Sequence, residues 1–335
     1  MENNIKTILK DKTETTVKDV VGLEIGSGHN QGVPAVRLRT NRGKTELLAA
    51  GFVNLDDKLP QNPEALDKPS GSWSLPKEFH APKAAVAVTS PAAILRQTSE
   101  TNSKGEEKLT HRRAFMETDK DYPPLLSSMP DFLAAWVAQR FPEGHRPTTR
   151  SIQTSSAAAI NCFLTGPVPQ ENPGAAITVF CFKNYSSIVA FFKGNLVLYR
   201  EHPVGYMTIK EEISKSMNID IAMVDSLIDD SVIDISSIIT PPLNALFRQV
   251  DISSDYISRR KNCPIENFYI YGLPGGVKHW TKTFRNLIKK PLHHLHPFGG
   301  ISCSSRKLHL PESFERDAPL FTTAVGAAKA LLEDT

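Results

Sequence analysis

Two consecutive α/β units, each opening with an antiparallel β-meander and continuing into helices, are what this sequence predicts. Three observations carry the expectation. First, the apolar run Val20–Ile25 is followed by Ala35–Arg39 and Lys44–Phe52, the last two joined by the hairpin-forming Asn41-Arg42-Gly43. Second, after a Pro-, Asn- and Gly-rich stretch at Pro169–Gly174 the pattern starts again, as Ala176–Phe182, Ser186–Phe192 and Leu196–Arg200 divided by short polar turns. Third, helical periodicity follows each meander, and the chain closes on an Ala-rich helix over Leu320–Leu332.

Between these landmarks each segment reads as an element. Lys83–Val88 and Ala93–Arg96 are short strands, after a Pro- and Asp-rich stretch from Leu55 to Lys77. Charged residues dominate Thr98–Tyr122, which reads as solvated surface with a polar helix or a loop opening at Gly105–Lys108. Ser128 is placed as the cap of a helix with Phe132, Leu133, Trp136, Val137 and Phe141 on one face. In the second unit Thr208 and Glu211 form a capping box for Ile209–Met217, and a short helix covers Ile221–Ile228. Pro241-Pro242 starts a longer helix whose Leu243, Leu246, Phe247, Val250 and Ile257 face a core. Phe268–Tyr271 is a buried strand, followed by the glycine turn Gly272–Gly276 and a helix carrying Val277, Trp280, Phe284, Leu287 and Ile288. Gly326, inside the closing helix, marks a close approach of backbones.

Composition narrows the function class. The 335 residues have room for two domains with their own cores, and a formal net charge of +3 carries no nucleic-acid footprint. The basic clusters Arg112-Arg113, Arg259-Arg260-Lys261 and Lys289-Lys290 have no interleaved aromatics, so they read as solvated faces, two of which could meet acidic lipid or a partner, and no nucleic-acid partner is expected. Cys162, Cys181, Cys263 and Cys303 are widely spaced and read as buried thiols of a reducing compartment. Met1–Lys18 lacks the apolar stretch of a secretory signal, and no run is long enough to span a bilayer. The expected location is therefore the cytoplasm, with any membrane attachment supplied by a partner. His293-His294-Leu295-His296 falls on a strand and loop, where alternation turns neighbours apart, so no metal site is expected.

The segment Val20–Asn30 has the shape of a phosphate-holding hairpin: an apolar strand, the acid Glu24, then Gly26-Ser27-Gly28-His29-Asn30. Glycine lets backbone N–H groups approach an anion, although such turns also join strands that hold nothing. Other strings extend the pattern: Val179–Phe182 on the first strand of the second hairpin, Gly194-Asn195-Leu196, Arg200–Gly205, Tyr271-Gly272, His296-Pro297-Phe298 and Pro319–Ala328. In this order they resemble the PilM-like proteins of type IV pilus assembly, more distantly FtsA and the type II secretion L protein, over about residues 19–97 and 130–332.

The resemblance implies a duplicated actin-like, ribonuclease-H-like α/β fold. It divides the chain into an N-terminal extension, 1–18, and a first domain, 19–172 with 316–335, carrying an inserted subdomain over about 83–141. The second domain is 173–315, with a helical subdomain over about 208–262. In the family, ATP lies between the halves, held by two glycine hairpins, each with an acid, and by a late glycine turn. This chain departs at each. The first hairpin has Glu24 in place of aspartate; the family's Asp-x-Gly falls on Phe180-Cys181-Phe182; and Pro274 removes an N–H from the adenosine turn. No cofactor is therefore expected. Residual binding of ATP and Mg2+ would fall to Glu24, Gly26, Ser27, Gly28, His29 and Asn30 with Gly272, Gly275 and Gly276.

The expected function follows: a scaffold of a type IV pilus or type II-like secretion platform that binds the cytoplasmic tail of a PilN-like inner-membrane protein without hydrolysing ATP. An active actin-like ATPase or kinase is the alternative, and it requires the carboxylate missing from the second hairpin. An FtsA-like role requires an amphipathic tail, which does not follow Leu331-Leu332-Glu333-Asp334-Thr335. The insert after Lys83 also departs from the family, running from a polar stretch to the Ser128 helix without a strand pair. Val86, Val88, Ile94 and Leu95 are the candidates for a peptide groove using strand addition; their other reading is subdomain core.

Overall fold

The computed structural model describes residues 18–29, 31–66, 71–98, 111–116, 118–167, 174–229, 233–271, 277–303 and 309–333. The N-terminal extension up to residue 17, the polar segment 99–110, Asn30, Gly272, Gly275 and Gly276 lie outside them.

The period-two apolar runs pair as their turns dictate. β1 (Lys18–Ile25), β2 (Val33–Asn41) and β3 (Lys44–Val53) form an antiparallel meander, and β4 (Lys83–Val88) joins β1 in parallel. An inserted sheet of β5 (Ile94–Gln97), β6 (His111–Met116) and β7 (Leu125–Pro130) follows, in the order β5-β7-β6. The chain returns through α1 (Asp131–Arg140) to β8 (Thr148–Thr154), which completes the first sheet as β3-β2-β1-β4-β8, and continues into α2 (Ser155–Leu164).

The second sheet repeats this design. β9 (Ala175–Cys181), β10 (Ser186–Phe192) and β11 (Asn195–His202) form the meander; α3 (Tyr206–Met217), α4 (Val224–Asp229) and α5 (Ser236–Lys261) lead to β12 (Ile265–Tyr271). After α6 (Val277–Ile288), β13 (Leu292–His294) closes the order β11-β10-β9-β12-β13. The short α7 (Phe314–Asp317) and then α8 (Thr322–Glu333) bring the chain back to the first sheet.

The layers follow from burial. α2 and α8 lie between the sheets, where Leu38, Leu47, Phe163 and Phe321 join Phe180, Phe191 and Tyr269 of the second half in one continuous core. α3, α5 and α6 cover the outer face of the second sheet through Ile213, Leu246, Phe247 and Phe284. The outer face of the first sheet packs on Leu133, Trp136 and Phe141. The close approach expected at Gly326 is present: a Cβ there would lie 1.8 Å from the Ala158 carbonyl oxygen of α2, and one at Gly22 would lie 2.0 Å from that of Ala324.

Five expectations need correction. The insert does contain a strand pair: β6 and β7 bond in register from His111–Pro130 to Met116–Leu125. Ser128 is therefore inside β7, and α1 starts only after Pro130, whose φ of −56° turns the chain into the helix without a side-chain cap. In α3 the cap is Gly205, and Thr208 occupies the third helical position, its Oγ1 accepting from the Gly205 N–H at 3.3 Å. α5 starts five residues before Pro241, so both prolines sit within it and deprive the Ser237 and Ile238 carbonyls of their usual donors near its outer end. Of the thiols, Cys162 and Cys181 are buried and pushed up to about 12 by desolvation, but Cys303 is exposed on the loop after β13.

Candidate functional site

The two meander hairpins face each other across the junction of the halves. In the first, Gly26 and Gly28 take φ values of 76° and 62°, which only glycine adopts without strain. The Gly26 N–H is already engaged, donating to Asp57 Oδ2 at 3.1 Å, and a Cβ on Gly26 would lie 2.4 Å from both Leu59 and the Thr89 carbonyl. Ser27 is buried. Glu24 is fully enclosed at the end of β1, with Oε1 accepting from Thr89 Oγ1 at 2.8 Å and Oε2 accepting from Thr323 Oγ1 on α8. Ser155 Oγ, 2.5 Å from Thr89 Oγ1, completes a ring of hydroxyls. Burial raises the Glu24 pKa, against the three hydroxyl bonds that lower it.

The second hairpin turns at Phe182–Tyr185, and its carbonyls serve the protein itself. Phe182 O accepts from the Tyr206 N–H at 3.0 Å and Lys183 O from the Met207 N–H at 2.9 Å, so the first donors of α3, a natural anion site, are spent on the hairpin. Phe180 stacks on Tyr271 with centroids 5.2 Å apart, and Phe182 stacks on Tyr185 at 4.6 Å. Both phenyl rings belong to the core shared by the halves.

Two contacts then join the first hairpin to the second half. Lys183 Nζ donates to the Gly28 carbonyl at 3.0 Å, and the His29 ring stacks on Tyr206 at 6.2 Å with 8° between planes. Desolvation, helped by the positive charges of Lys183 and Lys210, lowers the His29 pKa to about 4, so the ring is neutral at pH 7. What remains between Glu24, Ser27, Thr89, Phe182, Lys183 and Thr323 is a small cavity of about 30 Å3, whereas sites for small organic ligands run to roughly 300–1,000 Å3. Among the described residues no three His, Cys, Asp or Glu side chains meet as a metal site requires.

The structure thus brings Glu24, Gly26, Ser27, Gly28 and His29 together. Thr89, Thr323, Lys183, Tyr206 and Asp57, their partners, carry no sequence signal, since each is an ordinary residue of a turn, loop or helix. The groove candidates separate. Val86 and Val88 are buried in the middle of the first sheet and Leu95 in the inserted one, so none offers a surface; Ile94, 38% exposed on β5, does. His293 lies against Tyr269 on β13, and His296 stands 3.8 Å from Glu315.

Two facing sheets of one design, with α2 and α8 between them, define the duplicated actin-like fold. Within that class the chain is similar in fold to a chain solved in a PilM-PilN type IV pilus biogenesis complex, with a TM-score of 0.67 and 16% identity, covering 92% of this chain and 97% of that one. Weaker likenesses include the ethanolamine utilization protein EutJ from Carboxydothermus hydrogenoformans (TM-score 0.44, 14% identity, 93% and 89% covered) and the archaeal actin homolog Ta0583 (0.42, 10%, 95% and 100%). No family model matches the chain, and no curated protein matches it in sequence. Among the described residues no helix is long and apolar enough to cross a membrane.

Proposed function

We propose that this protein is a cytoplasmic scaffold of a type IV pilus or related type II-like secretion platform. It takes up the cytoplasmic tail of a PilN-like inner-membrane protein on its inserted subdomain, reaches the membrane only through that partner, contacts other platform proteins, and does not hydrolyse ATP. The observation that carries the reading is the likeness, over 92% of the chain, to a PilM solved with its PilN. The cleft supports the second part. Phosphoryl transfer depends on carboxylates that direct a metal and on donors that meet the developing charge. Here both Glu24 oxygens are taken by threonines, and Phe180 stands where the second acid would be. The edge strand β5 supports the first part, since an extended tail can bond to strand backbone and fill side-chain pockets, and Ile94 is the exposed apolar member there.

The test is calorimetric titration with a synthetic tail peptide from the bitopic membrane protein encoded beside this one, together with phosphate release from Mg-ATP. Micromolar binding, weakened about tenfold by Ile94→Asp, and no phosphate release are expected. Ile94 is on the surface, so the variant should melt with the wild type. Absence of tail binding overturns the scaffold reading. Micromolar Mg-ATP affinity with turnover would instead establish an actin-like ATPase or kinase.

A further inference from the structure

The inserted subdomain belongs by chain order to the first half, yet it also bonds to the second. The Gln97 amide at the end of β5 donates to the Val197 carbonyl at 3.3 Å and accepts from the Tyr199 N–H at 3.4 Å, which satisfies the outer edge of β11. One turn further on, the Asp119 N–H donates to the Leu196 carbonyl at 2.9 Å. Tyr122 is buried in the core of the second half, among residues that include Val197, Leu198 and Ile257. Lys261, the last residue of α5, pairs with Asp119 at 3.1 Å and Asp121 at 3.0 Å while its side chain is only 11% exposed, and the Arg260 guanidinium lies 4.8 Å from the Tyr122 ring and donates to the Asp121 carbonyl. Arg260 and Lys261, a solvated basic cluster by sequence, are therefore the anchor of this contact.

The anchored edge leads back to the cleft. Tyr199, whose N–H Gln97 accepts, has its hydroxyl 3.2 Å from Ser187 Oγ; Ser187 lies 3.5 Å from Ser156 Oγ on α2, and Ser156 lies 3.0 Å from the Tyr185 hydroxyl in the second hairpin. Tyr185 stacks on Phe182, next to the Lys183 that holds Gly28.

We infer that residues 118–123, with Gln97, form a strap by which the inserted subdomain clamps the second half onto the first, so that closure of the cleft is governed by the insert and needs no nucleotide. The inference rests on the proposed function only for the identity of the peptide that loads the insert. Mechanically, the strap removes relative motion of the halves on the side of β11, and the Lys183–Gly28 and His29–Tyr206 contacts can then persist without a ligand to bridge them.

Amide hydrogen exchange on the full chain tests it. Lys261→Glu places a like charge against Asp119 and Asp121; exchange at Gly26–His29 and Lys183–Tyr185 should accelerate about tenfold, and the triple variant Asp119→Lys, Asp121→Lys, Lys261→Glu should restore it. Gln97→Ala, which removes only the edge bonds, should accelerate the same amides about threefold and serves if the charge variant does not fold. The inference is overturned if the Asp119 amide exchanges faster in either variant while the two hairpins keep wild-type rates. Failure of tail binding in the wild type would sink the scaffold reading and leave the strap standing, and wild-type hairpin rates in the variants would do the reverse.

Discussion

The two hairpins occupy equivalent places in sheets of the same order, yet one carries an acid and two glycines and the other carries two buried phenyl rings. In the first, Glu24 lies at the end of the strand and Gly26 and Gly28 take positive φ; in the second, Phe180 and Phe182 are core. The comparison teaches that neither set of residues decides the matter by itself. The first hairpin is closed by what surrounds it, since Asp57, Thr89, Thr323 and Lys183 take up the Gly26 N–H, both Glu24 oxygens and the Gly28 carbonyl. The second is closed from within, since its carbonyls cap α3 and its rings pack against Tyr271 and Tyr185.

Placing an acid in the second hairpin is the harshest way to break that contrast. Phe180→Asp removes a fully buried ring and leaves a charge in its place, and should cost more than about 4 kcal/mol in urea unfolding, without phosphate release from Mg-ATP. A stable variant that turned over ATP would show that the second hairpin differs from the first by one side chain only.

Acid should strain the first hairpin next. The native His29 pKa of about 4 lies below the unfolded value near 6.5, so between these limits the unfolded chain binds more protons and stability falls as pH falls through that window. The loss should be on the order of 2 kcal/mol, reduced because the ring is partly open to solvent. Denaturant titrations at pH 7 and pH 4.5 should show it, and His29→Asn should remove much of that window's pH dependence. An unchanged pH dependence in the variant would rule out the neutral His29 ring as its cause.

The smallest effect sharpens the contrast from the other side. Burial raises the Glu24 pKa, so the native state keeps this proton where the unfolded chain loses it, and stability falls as pH rises above the ordinary glutamate value. Glu24→Gln keeps an oxygen for one threonine, abolishes that slope and should raise stability at pH 7 by about 1 kcal/mol. A marked loss instead would mean that Glu24 is held ionised by its hydroxyls and that the first hairpin is still built around a negative charge.

Much of the fold was legible because its signals are local. Strand alternation, the Asn41-Arg42-Gly43 turn, the restart after residue 174 and the small residue at Gly326 each depend on a few neighbours in sequence, and the resemblance to PilM-like proteins rested on short strings of this kind. The insert was misread because the charged stretch before β7 lacks alternation and β6 is a strand only through its pairing with β7. Val86, Val88 and Leu95 looked as suitable for a groove as Ile94, since burial in a central strand and exposure on an edge strand leave the same apolar letters.

By itself, then, the sequence determined two meander-led α/β halves, the glycine turn after β1 and the aromatic residues in the second hairpin, because backbone conformation and side-chain period are set over spans of a few residues. Only the tertiary structure decided what those features face. Thr323 reaches Glu24 across 299 residues and Lys183 reaches Gly28 across 155, and which hydroxyl answers a buried acid, or which lysine holds a carbonyl, depends on how sheets and helices pack.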